Sequence, residues 1–163
     1  MNESLASLPS APAPDGGLLA LARLIVASHR RVVRRDLLAA APGDDLALWH
    51  ALWTVPRVVV AHGIQADPVF CYGNRLALEV FELDFAAFTA LPSRFSAEPL
   101  VREERAALLD RVTRYGYIDD YAGVRISNTG KRFRIRNAIV WNLVDGDGTC
   151  RGQAATFDEW TPV

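Results

Sequence analysis

The residues best suited to proton transfer are His62 and Asp67, because an imidazole held by a carboxylate is what proton abstraction requires. No nucleophile or metal-ligand cluster accompanies them, and a lone histidine at a strand end is usually structural. The two thiols, Cys71 and Cys150, match no metal or redox spacing. Core packing is the simpler reading; a redox-sensing Cys71 would need a cationic neighbour to lower its pKa. Arg132, Arg134 and Arg136 alternate with Phe133 and Ile135, so in a strand the three guanidinium groups share one face. They form either a site for anionic ligand or partner carboxylates, or a face that is solvated or covered by helices with the Arg stems on Trp rings; the second is simpler.

These side chains are carried by elements that the pattern of the chain defines. Leu18 to Leu38 is an amphipathic helix with Leu18, Leu21, Leu24, Ile25, Val32 and Leu38 on its apolar face. Arg30, Arg31, Arg34 and Arg35 crowd its second half, where they complement the helix dipole or meet an acidic partner. Pro42-Gly43-Asp44-Asp45 is a break, and Asp44 or Asp45 caps a second helix, Leu46 to Trp53, whose Trp49 and Trp53 share a face and anchor it on the sheet. Arg57 to Ala61 is the first strand and Val69 to Tyr72 the second, begun after Pro68 and ended by Gly73. Asn74 caps a helix with Leu76, Ala77, Val80, Phe81 and Leu83 at the helical period. Asp84 to Leu91 is a short helix offering Phe85 and Phe88, stopped by Pro92. Arg102 to Arg114 is a longer helix, ended by Gly116. Three strands follow, Val124 to Ser127, Lys131 to Leu143 and Thr149 to Phe157, joined by turns at Asn128-Thr129-Gly130 and Asp145-Gly146-Asp147-Gly148.

A strand ending in Tyr-Gly-Asn, a helix with a buried Phe and a second short Phe-containing helix resemble the opening of a PAS-type sensory domain. The wording is closer still to one branch. Asp-Pro-Val-Phe (67–70), Tyr-Gly-Asn (72–74), Leu-Pro-Ser-Arg (91–94), Ser-Ala-Glu-Pro (96–99), Arg-Glu-Glu-Arg (102–105), Tyr-Ala-Gly-Val-Arg-Ile-Ser (121–127) and Gly-Gln-Ala-Ala-Thr-Phe (152–157) resemble the MEKHLA domain, over about Arg57 to Phe157. That domain occurs in bacterial proteins of about this length and at the C-terminus of plant class III homeodomain-leucine zipper proteins. The resemblance implies an α+β fold: a PAS-like five-stranded antiparallel sheet with helices on one face, here with an N-terminal helical extension. Together with the strand parities it lines a cavity with Phe81, Phe88, Phe133 and Trp141, and supplies Tyr72, Asn74 and Gln153 as polar ligand contacts. Flavin photosensors of the superfamily are similar in one detail, since Ser93 stands where they carry a photoactive cysteine, followed by Arg94-Phe95. A hydroxyl does not form the flavin-thiol adduct. Gln153 falls where those sensors keep a flavin-contacting Gln, but their paired Asn residues are replaced by the Arg-rich run. Haem ligation by a His on the long middle helix is not expected, because no His follows His62.

Composition sets the outer limits. With half of its 163 residues hydrophobic, 23% charged and a net charge of -1, the chain is expected to bury one core, and it lacks the basic surplus of a general nucleic-acid binder. It has neither a membrane-length apolar run nor a secretory leader, which places it in the cytoplasm. Residues 1–15 read as a disordered leader, 16–56 as the helical extension and 57–163 as the PAS-like domain. The expected function is small-molecule or redox sensing, or protein interaction, without catalysis. Alternatives are a small α+β enzyme using His62 and Asp67, and a flavin-binding PAS domain lacking the photoactive cysteine. Surplus apolar surface on residues 18–53 suggests a homodimer, and output passes to an unknown downstream protein.

Overall fold

The computed structural model describes residues 9–39, 42–99 and 102–163; residues 1–8 of the expected leader lie outside them. Helix α1 (Gly16–Ser28) begins where Asp15 Oδ1 accepts the Leu18 N–H at 2.8 Å. It is shorter than the apolar pattern suggests. A π-turn, His29–Val33, follows, and Arg34 takes a left-handed conformation (φ 62°) that ends the helical run. Side chains fix this departure: Ser28 Oγ bonds both the carbonyl and the N–H of Val144 at 2.9 Å, and the His29 ring nitrogen Nδ1 meets the Arg35 carbonyl at 2.7 Å.

Helix α2 (Asp45–Thr54) is capped by Asp44, then come β1 (Val58–His62) and β2 (Phe70–Gly73). Helix α3 (Arg75–Phe81) starts on the cap expected from sequence, Asn74, whereas α4 (Phe85–Phe88) is shorter than the expected Asp84–Leu91 and has Asp84 as its cap. A single 3-10 turn, Ser93–Ser96, leads towards α5 (Arg102–Tyr115). The remaining strands are β3 (Tyr117–Ile126), β4 (Arg132–Val144), β5 (Cys150–Phe157) and β6 (Glu159–Pro162). All pairings are antiparallel, in the order β2-β1-β5-β4-β3, with β6 continuing β5 along β4.

The sheet thus has six strands where the sequence suggests five. β6 is short and ends at Pro162, which hides it from a propensity reading. β3 begins at Tyr117, earlier than expected, because Asp119, Asp120 and Gly123 disfavour a strand; the two acids point to solvent and pair with Arg35 and Arg111.

The sheet separates two cores. On its inner face Val58, Val60, Phe133, Ile135, Ala138 and Val140 pack with α3, α4 and α5. On its outer face Val59, Ala61, Ile139, Trp141 and Leu143 pack under α1 and α2, against Ala22, Ile25, Leu48 and Leu52. Trp49 joins the outer core while Trp53 joins the inner one, so α2 straddles the two. Much of the apolar surface on residues 18–53, expected to pair with a second copy, packs on the protomer's own sheet, while Leu46 stays exposed and Leu18, Leu21 and Leu24 are half-buried.

One backbone irregularity decides which β4 residue faces which core. Asn137 is left-handed (φ 52°), and the alternation breaks there: Phe133 and Ile135 face inward, then Ala138 and Val140 do. Beyond Asn137, Trp141 consequently points outward. The partner line breaks at the same level, between Phe157 and Trp160, which both reach the inner core, and pairing survives on each side (Arg136 with Glu159, Ile139 with Thr156). Among the described residues no helix is long and apolar enough to cross a membrane.

Candidate functional site

A cavity of about 360 Å³ lies between the inner sheet face, Phe81 of α3, Leu108 and Leu109 of α5, and the segment Ser93–Pro99. That is the lower part of the range for small-molecule sites. Its floor is apolar, from Val60, Ile135, Val140 and Ala155. Polar groups stand at its ends and along the Ser93–Pro99 roof, which adds Ser93, Arg94, Ser96 and Glu98. At one end His62 and Gln153 are direct partners across β1 and β5. At the other, Tyr121 and Arg125 share the inner side of β3, and the Arg125 guanidinium donates to the Tyr121 hydroxyl at 3.3 Å while lying 5.5 Å from its ring centroid. The segment above the cavity is fastened at both ends. Ser93 N–H donates to the Pro68 carbonyl at 2.8 Å, and Ala97 forms a β-bridge with Arg125.

The residues singled out in the sequence divide between three places. Phe81 and Gln153 lie along the cavity. Phe88 and Phe133 pack in the inner core next to Phe81, with ring centroids 5.8 and 5.5 Å from it, and Phe88 stacks on Phe70 at 4.3 Å. Tyr72 and Trp141 lie on the outer face instead of in the cavity. Trp141 is there because the break at Asn137 reverses the parity of β4; its ring meets His29 edge-on at 4.8 Å. Tyr72 packs edge-on to Trp49 at 5.7 Å, and burial pushes its phenol pKa far up.

Asn74, expected as a ligand contact, is a structural clip. Its Oδ1 accepts from Ala77 N–H (3.1 Å) and Val59 N–H (3.0 Å), and its Nδ2 donates to the carbonyls of Arg57 (2.8 Å) and Leu52 (3.4 Å). Those bonds use its whole hydrogen-bonding capacity. Cap, strand and preceding helix are joined by one side chain.

Both His62 and Asp67 line the cavity, yet they do not form the expected pair. Arg94 Nε donates to both Asp67 oxygens at 3.1 Å, and His62 Nδ1 lies 2.9 Å from the Gly63 carbonyl. Among the described residues no group of three or more His, Cys, Asp or Glu side chains is placed to hold a metal. Burial pushes the Cys71 thiol up to about 11, so it is protonated at neutral pH and a poor nucleophile. The Arg row is solvent-facing, with Arg132 paired to Glu98 and Arg136 near Thr161.

Tyr121 and Arg125 escaped selection from sequence as cavity residues, although the alternation Tyr121, Gly123, Arg125 places all three on one strand face. A Cβ on Gly123 would come within 2.6 Å of the Tyr121 hydroxyl. Glycine there lets the tyrosine lie flat along β3 and meet Arg125.

A twisted antiparallel sheet closed by short helices over an inner cavity defines a PAS-like domain. Solved structures agree on the fold: the fungal blue-light photoreceptor Vivid in its light-state dimer (TM-score 0.57, 14% identity, 96% of this chain and 99% of that one), a PAS domain of a Colwellia psychrerythraea protein (0.58, 11%, 74% and 98%), and a light-oxygen-voltage domain studied with a flavin analogue (0.55, 16%, 72% and 84%). The MEKHLA domain model matches residues 19–162, and the chain belongs to that family. Its curated relatives include homeobox-leucine zipper proteins ATHB-14 of Arabidopsis thaliana (25% identical over 167 residues, 99% of this chain, 19% of the relative) and HOX29 of Oryza sativa subsp. indica (25% over 130 residues, 78% and 15%). The chain spans less than a fifth of the length of these relatives. The family match takes in α1 and α2.

Proposed function

We propose that this chain is a non-catalytic sensing module whose inner cavity binds a small molecule and whose occupancy is read by a separate protein. The observation that carries the reading is the cavity itself: apolar walls enclose polar side chains at opposite ends, which is the make-up of a small-molecule site. The absence of a His62–Asp67 hydrogen bond supports the non-catalytic part, since a base without its orienting carboxylate lacks the geometry for proton abstraction. The high pKa of Cys71 turns the sensing reading from redox towards ligand. The setting of this chain is cytoplasmic.

Flavin is the weaker ligand. Ser93 and Gln153 both line the cavity, but β4 turns Phe133, Ile135, Ala138 and Val140 inward, none of which hydrogen-bonds through its side chain, and the amide of Asn142 on the same face is held by the Val112 carbonyl. The edge of a flavin ring would meet hydrocarbon there.

The test is a combination of absorbance, native mass spectrometry and thermal-shift screening of the purified protein and of Ala155→Phe, which fills the floor of the cavity. Bound mass, or a ligand that raises Tm of the wild type and not of Ala155→Phe, supports the reading. A ligand that stabilises both equally binds elsewhere and refutes it.

A further inference from the structure

We infer that the cavity is shaped for a monoanionic amphiphile, with a carboxylate at the Arg125 end, an elongated apolar body and a hydrogen-bonding group at the far end. The inference rests on the cavity being the ligand site. It comes from the charges on the lining. Asp67 is taken by Arg94 and Glu98 by Arg132, whereas Arg125 is met only by the Tyr121 hydroxyl among the described residues. A guanidinium beside an apolar wall offers paired N–H donors to a carboxylate, and the tyrosine hydroxyl beside it adds another donor. One guanidinium balances one negative charge. A phosphate dianion would bring a second charge into a lining that already carries Glu98, with no further free cation among the described residues to answer it.

The segment above the cavity limits the length of the ligand. Ser93 is tied to Pro68, next to the His62 end, and Ala97 is bridged to Arg125, so four residue steps, at most about 13 Å of chain, join the two polar ends. Between them the sheet and helix sides are hydrocarbon, from Ile135, Val140, Phe81, Ala155 and Val60, and the polar side chains of the roof are already paired, Glu98 with Arg132 and Arg94 with Asp67. At the far end, the Gln153 amide and His62 suit a hydroxyl or carbonyl, not a second charge. The Ser93–Ala97 segment runs the same way overhead, tied to Pro68 near His62 and to Arg125 at the other end.

Isothermal titration of the full chain with decanoate, 10-hydroxydecanoate and decan-1-ol separates these contributions. Decanoate is expected to bind about tenfold or more tightly than decan-1-ol, from the charge-assisted bonds to Arg125. Arg125→Gln removes that advantage and leaves decan-1-ol unchanged. 10-Hydroxydecanoate binds several-fold more tightly than decanoate, an increment lost in Gln153→Leu. Equal affinities for decanoate and decan-1-ol overturn the anion assignment and leave the cavity standing as an apolar site. Failure of all three to bind overturns both. Should Arg125→Gln not fold, the decanoate to decan-1-ol ratio on the wild type decides alone.

Discussion

At the scale of single residues, His29 is a histidine that the fold holds neutral. It is buried, its Nδ1 is engaged by the Arg35 carbonyl, and its Nε2, beside Trp141, has no partner among the described residues. Burial lowers its pKa below 6.5, the Arg35 carbonyl opposes that, Arg57 and Arg35 lower it further and Asp36 raises it. The unfolded chain therefore binds a proton here before the folded one does. Stability from this group is complete above about pH 6.5 and declines as pH falls through and below that value. Urea denaturation at pH 7.5 and 5.5 should show the loss, and His29→Gln should flatten it; an unchanged slope would contradict the neutral state. Glu82 works on another element and another range. Hydrogen bonds from Ser127 and Thr129 and the nearby Lys131 hold it down to about 2, so its tie between α3 and the β3–β4 turn persists until pH falls well below 4.5. Asn74→Ala strands two backbone N–H groups, Val59 and Ala77, and removes a helix cap. A cost of about 3 kcal/mol is expected in chemical denaturation.

Elements were legible where one local signal controls them, and obscure where two strands control each other. Asn74 and Asp84 cap α3 and α4 as their residue types suggest, and the turns at Asn128–Gly130 and Asp145–Gly148 join strands as expected. The end of α1 was not legible, because bonds from Ser28 and His29 to distant or displaced backbone determine it. The site suffered most from the same limit. Phe81 and Gln153 could be placed from a regular period, but Trp141 could not, since the left-handed Asn137 is invisible to a period-2 count. Close approach between elements is equally hidden in sequence. A Cβ on Gly73 would lie 2.7 Å from the Phe88 ring, so Gly73→Ala must push β2 away from α4. Thermal melting should register a loss of about 1–3 kcal/mol; a variant as stable as wild type would show that the ring can move aside.

For the molecule as a whole, the two-sided sheet makes the N-terminal helices part of the fold and not an appendage. Removing residues 1–53 would uncover Val59, Ala61, Tyr72, Ile139, Trp141 and Leu143 on one surface. Such a patch drives association, so the truncated chain should be insoluble or aggregated in size-exclusion chromatography. A soluble truncated monomer would mean that the outer core is dispensable. Trp141→Ala and Phe81→Ala, one in each core, should each cost about 3–5 kcal/mol. Phe81→Ala, which opens the cavity wall, should also alter ligand affinity. Along β4 the sheet alone divides the cores: Val140 faces the cavity and Trp141, its neighbour in the chain, faces the helical cover and the edge of His29. A ligand that displaces this part of β4 therefore changes the surroundings of an indole it never touches. On the proposed ligand reading, the fluorescence of Trp141 would serve as a built-in optical gauge, reporting from the dry side of the wall how full the other compartment is.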